Sequence, residues 1–73
     1  MIKILNPKVS PEGVATADLN IHSACCKTIL HIVAHYKNGV FSEAINIDNG
    51  VTIYVQVQNN LVKAWLEYIK QNE

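Results

Sequence analysis

Apolar and polar residues alternate through Val14-Ala15-Thr16-Ala17-Asp18-Leu19-Asn20-Ile21, the period of two that marks a strand with one buried face. The preceding segment, from Ile2 to Val9, runs into Ser10-Pro11-Glu12-Gly13, with Ser, Pro and Gly at the first, second and fourth places of a type I turn. A hairpin closed by Ser10 and Gly13 puts Ile2, Ile4, Ala15, Ala17, Leu19 and Ile21 on one face. Pro7 has no N–H to give a ladder, so the first strand is short or has an unpaired edge near its end.

The pattern changes between residues 23 and 37. As a strand, one face would carry Lys27, Ile29, His31, Val33, His35 and Lys37, a mixture of apolar and charged types. Wound at about 100° per residue, Lys27, Thr28, His31, His35 and Asn38 fall together, opposite Cys25, Cys26, Ile29, Leu30, Ile32, Val33 and Tyr36. This amphipathic period predicts a helix over 23–37, with Ser23 as N-cap and Asn38-Gly39 as the left-handed stop. Cys25 and Cys26 are then buried and reduced, and His31 and His35 exposed.

Two further apolar runs, 40–47 and 51–58, flank Asp48-Asn49-Gly50. A three-residue loop with Gly50 left-handed pairs Ile47 with Val51, Ile45 with Ile53 and Phe41 with Val57, so the apolar faces coincide. At the end of the chain Leu61, Val62, Trp65, Leu66, Tyr68 and Ile69 cluster on a helical wheel against Lys63, Glu67, Lys70 and Gln71. Asn59 or Asn60 caps this second helix.

The order is ββαββα. It predicts one compact α+β domain over residues 1–73, a four-stranded sheet with two amphipathic helices packed on one face. Its first five elements resemble, in order alone, ubiquitin-like and immunoglobulin-binding β-grasp domains. No motif accompanies that likeness, and a shared fold would not carry function.

Composition narrows the function classes. Of 73 residues, 49% are hydrophobic and 16% charged, against a usual charged share of about 25%. A small domain has much surface to cover, so this one shows water an unusual amount of uncharged surface. Net charge is zero, and the basic residues are six lysines spread from Lys3 to Lys70 with no arginine. Nucleic-acid binders concentrate positive charge on one face, so this distribution argues against nucleic acid. No apolar run approaches the ~20 residues of a membrane helix, and the N-terminus lacks a signal-peptide core. The expectation is a soluble protein with no membrane contact. Adjacent cysteines bridge poorly, which fits a reducing cytoplasm.

Candidate chemistry is sparse. His31 and His35 have the i,i+4 spacing of helical zinc ligands, but two ligands are half a site and no Glu lies between them. Gly13, Gly39 and Gly50 are turn or cap glycines and cradle no phosphate; the acidic residues form no pair. No catalytic residue, metal or cofactor is predicted.

What remains is a surface. Alternation leaves Thr16, Asp18, Asn20, Ser42, Ala44, Asn46, Thr52, Tyr54, Gln56 and Gln58 on the open sheet face, with Asp18 the one charge. Interface cores are depleted in charge and enriched in Tyr. Tyr54, as anchor, with Thr52, Gln56, Asn46, Ala44, Ser42 and Thr16 is therefore the expected docking face for a protein partner or a second copy. The reading is a small cytoplasmic, non-enzymatic protein-binding module of inhibitor or regulator type, a kind that suits phages and mobile elements. The alternatives are a nucleic-acid-binding sheet and, after it, a metal-dependent or thiol enzyme.

Overall fold

The computed structural model describes residues 2–72. Five strands precede one helix: β1 Ile2–Val9, β2 Val14–His22, β3 Lys27–Lys37, β4 Val40–Phe41, β5 Ile45–Asn46 and α1 Val55–Gln71. All pairings are antiparallel, in the order β1-β2-β3-β4, with β5 also paired to β3. This corrects the ββαββα expectation and removes the likeness to β-grasp order. The described residues are mostly sheet, with a single helix among them near the C-terminus.

The first hairpin has the register its alternation predicts, with Ile2 opposite Ile21 and Ile4 opposite Leu19. Near the turn it slips by one, from Leu5 opposite Asp18 to Lys8 opposite Thr16. The irregularity falls on Asn6, which is left-handed at φ 52, and on Pro7. An odd residue inverts the side-chain alternation, so Val9 joins Ile4 against the core. Gly13 N–H donates to the Ser10 carbonyl at 3.0 Å and Ser10 N–H to Val14 O at 2.9 Å. Gly13 is left-handed, φ 88, as a bulge glycine after a turn must be.

The helix predicted over 23–37 is instead a short loop followed by the eleven-residue strand β3. The reason lies in the face opposite the one that looked unsuitable. Thr28, Leu30, Ile32, Ala34 and Tyr36 form an almost entirely apolar row, with Ile32 and Ala34 fully buried. Thr28, Ile29, Ile32, Val33 and Tyr36 are also strand formers. Lys27, Ile29, His31, Val33 and His35 line the other face, which explains its mixed character. Asn38-Gly39 caps no helix. Both residues are left-handed, φ 52 and φ 82, and they form the two-residue loop that pairs Lys37 with Val40.

The second predicted hairpin survives in shortened form. Gly50 is left-handed at φ 70, but the bridge joins Ile45 to Thr52, one residue off the predicted Ile45–Ile53 pair. Asn46 N–H donates to Val51 O, and Gly50 N–H to Asn46 O. Asn46 Oδ1 and Asn49 Oδ1 accept the N–H groups of Asp48 and Val51, both at 2.9 Å. These side-chain turns fix the loop and leave Ile47 unpaired with Val51.

The predicted fourth strand over 51–58 does not form: it is reduced to the bridge at Thr52, and α1 begins at Val55. Val55-Gln56-Val57-Gln58 alternates like a strand, yet Val57, Leu61, Trp65 and Ile69 repeat every four residues, and this longer stripe wins. Asn59 and Asn60 lie inside the helix. Its N-cap position is Tyr54, with no side-chain cap. At the other end Asn72 N–H reaches the Tyr68 and Ile69 carbonyls, and its Nδ2 donates to Tyr68 O at 2.8 Å.

Among the described residues eight hydrophobic ones are buried: Ala15, Ala17, Leu19, Ile32, Ala34, Ala44, Leu61 and Trp65. Four are alanines, and three of those come from facing positions of β2 and β3. Small side chains there leave room for Trp65, which is fully buried and stacks on Phe41 at 5.3 Å. Phe41 in turn meets Tyr36 at 4.6 Å. The Trp65 indole N–H donates to the Thr16 carbonyl at 2.9 Å, opposite the strand irregularity where Pro7 offers no N–H.

Candidate functional site

The pairings Ile2–Ile21, Leu19–Leu30 and Ile21–Thr28 bring the start of β1, the end of β2 and the start of β3 to one end of the molecule. The loop into α1 arrives there too. Between them lies a cleft of about 280 Å³, walled by Ile2, Leu19, Ile21, Leu30, Ile53 and Val57 and closed by Thr52 and Tyr54. None of the eight carries a charge. Tyr54 is 86% exposed and its neighbour Val55 74%. Ile2, in the cleft wall, is exposed as well. A larger opening of about 590 Å³ lies between the Ser10–Gly13 turn and the end of α1. Its walls include Glu12, Asn38 and Asn72, and none of the large exposed apolar side chains lines it. The smaller cleft therefore has the character of a contact site.

The seven residues expected on one open face are divided by the fold. Thr52, Tyr54 and Gln56 stay together and exposed at the entry to α1. Ala44 is fully buried and its N–H donates to Gln58 Oε1 at 3.3 Å. Asn46 is buried by its turn. Ser42 is exposed, its hydroxyl accepting the His35 N–H at 2.8 Å. Thr16 is half-buried on β2. Periodicity alone places the flanking apolar residues Ile2 and Ile21 in the core and Leu30 on a helix, so the sequence does not mark them as part of this cleft. Ile2 and Ile21 lie at strand ends, and Leu30 joins them through the β2–β3 register beside Val57 of the first turn of α1.

Cys25 and Cys26 are exposed, not buried, in the loop between β2 and β3. The loop is closed by Ser23 N–H to Cys26 O at 3.0 Å, and Ser23 Oγ accepts the Cys26 N–H at 3.2 Å. The two sulfurs lie 3.1 Å apart, with Ser23 Oγ 3.8 Å from Cys25 Sγ. The Cys26 thiol, and after it the Ser23 hydroxyl, lower the Cys25 pKa; the same contact raises that of Cys26.

His31 and His35 are exposed as expected, but their spacing no longer suits zinc. Four residues along a strand span about 13 Å, too far for one ion. His31 Nδ1 instead meets Asp18 Oδ1 at 2.8 Å across the strands, an acidic neighbour the helical reading had not seen. Among the described residues no three His, Cys, Asp or Glu side chains gather in metal-binding geometry, and no helix is long and apolar enough to cross a membrane.

No protein-family model, curated protein or solved structure matches the chain.

Proposed function

We propose that this chain is a non-enzymatic protein-binding module that works through its Tyr54 end, and that the occupant of that end is a second copy of itself. One observation carries the reading: nine large hydrophobic side chains stand exposed among the described residues, against eight buried hydrophobic residues of any size, of which four are alanine. A chain that shows so much apolar surface gains by covering it. A partner for the Ile2–Tyr54 cleft needs an apolar, uncharged surface, and a second copy supplies one at equal concentration. Zero net charge removes the repulsion that keeps like chains apart. Inhibition or regulation by contact needs only such a surface, and a reducing cytoplasm, where exposed thiols stay free, completes the reading.

Light scattering and sedimentation over a wide concentration range test it. A reversible dimer is expected, which the double substitution Tyr54→Ala, Thr52→Lys turns into a folded monomer, while Lys63→Glu on the exposed side of α1 leaves it intact. A wild-type chain that stays monomeric throughout, or a double variant that associates as tightly as wild type, overturns the proposal.

A further inference from the structure

The loop between β2 and β3 carries a second kind of site. We propose that Cys25 and Cys26 form a chelating dithiol for a soft, thiophilic ion of the trivalent-arsenic class. The argument begins with the separation of the sulfurs. At 3.1 Å they are well beyond the ~2.05 Å of a disulfide. They are close to the bite of two sulfurs on one ion, about 3.4–3.8 Å when metal–sulfur bonds are ~2.3 Å. Small rotations about the Cα–Cβ bonds close that difference. Forming the disulfide is harder, because neighbouring Cα atoms sit about 3.8 Å apart and unstrained bridges want about 4.4–6.8 Å.

The loop is also built to hold the pair in place. Ser23 ties both the N–H and the carbonyl of Cys26, and the carbonyl receives the Ser23 N–H as well. At its base His22 stands opposite Lys27 in the β ladder, so a lysine follows the second thiol directly. Both cysteines are exposed and free, which leaves the remaining coordination positions open to a ligand from solution. Thiolates, not thiols, bind such ions, and exposure lets both sulfurs lose their protons to solvent as the ion binds.

With an organoarsenic oxide the step balances without a redox partner. Two S–As bonds form, the As–O bonds break, and the two thiol protons leave with the oxygen as one water. Phenylarsine oxide is the probe. The wild-type chain is expected to take up one phenylarsenic group with loss of one water by intact mass, to keep it against excess monothiol, and to release it to excess dithiol. Cys25→Ser and Cys26→Ser should each bind at least about a hundredfold more weakly, since the second bond is gained at high effective concentration. Far-UV circular dichroism of both variants should match wild type, because neither cysteine touches the core. Failure of the wild type to bind, or binding by either single variant within a few fold of wild type, overturns the chelate. The association state of the Tyr54 end is read by light scattering and is independent of either result.

Discussion

Gly13 shows how much one residue can decide. Its φ of +88 is left-handed, and a Cβ built there would stand 2.5 Å from the Tyr36 carbonyl oxygen, a backbone atom that cannot move aside. Tyr36 N–H donates to Gly13 O at 2.7 Å, so the contact that would clash also holds the hairpin turn against β3. Gly50 has a similar φ of +70 but nothing within 4 Å of its absent Cβ. Gly50→Ala should therefore cost about 1–2 kcal/mol, the left-handed penalty alone, and Gly13→Ala clearly more. Equal shifts in their urea midpoints would show that the close approach to Tyr36 is absent. Trp65 makes a second residue-scale test. Trp65→Phe keeps a ring beside Phe41 but removes the indole donor from the Thr16 carbonyl, and should cost about 1–3 kcal/mol. The cysteines supply the third. Because the Cys26 thiol first, and the Ser23 hydroxyl second, favour the Cys25 thiolate, alkylation of Cys25 should rise at lower pH than that of an ordinary cysteine, and Cys26 should follow at higher pH. Ser23→Ala should move the Cys25 profile upward. Profiles that coincide for the two cysteines would refute the asymmetry.

At the scale of elements, β3 separates two readings of one stretch. On a helix Ile32 and Val33 would both face the core; on a strand they point to opposite faces. Ile32 is fully buried and Val33 half-buried on the open face. Ile32→Ala should therefore cost about 2–4 kcal/mol, while the near-isosteric Val33→Thr should stay within about 1 kcal/mol. Similar large losses at both positions would favour the helix. The same stretch shows why the sequence was only partly legible. The first hairpin could be read because one strand face is apolar, the other polar, and the turn residues agree. Most of the C-terminal helix could be read from its stripe. β3 could not, because Ile29 and Val33 put apolar residues on an outward face and blur the alternation, and because Asn-Gly serves equally as a helix stop and a hairpin turn. Only the partner strand decides between these, and that pairing is a non-local fact. The Tyr54 end was not legible as a sheet face: Thr52, Tyr54 and Gln56 are exposed together, but at the entry to α1 and not on a strand, and their apolar neighbours come from strands that meet only after folding.

For the whole molecule, the decisive quantity is the size of its core. Domains of this length rarely derive more than about 3–5 kcal/mol from a single core and tend to lean on a further source of stability. Here the buried set is half alanine, so the burden falls on Trp65, Leu19, Ile32 and Leu61, while Tyr54, Val55, Val51 and Ile2 remain in water. Association through that end adds stability by mass action: a species that binds only the folded state raises its apparent stability as concentration rises. The thermal midpoint of the wild-type chain should therefore climb with protein concentration. In the Tyr54→Ala, Thr52→Lys variant it should be flat and equal to the wild-type value at high dilution, because neither side chain belongs to the core. An anchor tyrosine commonly contributes about 2 kcal/mol or more to a contact, roughly thirtyfold in affinity, so the variant's association should weaken by at least that factor. A wild-type midpoint independent of concentration would show that the small core stands by itself. A variant midpoint well below the dilute wild-type value would show instead that Tyr54 supports the monomer, through the start of α1 where it occupies the N-cap position.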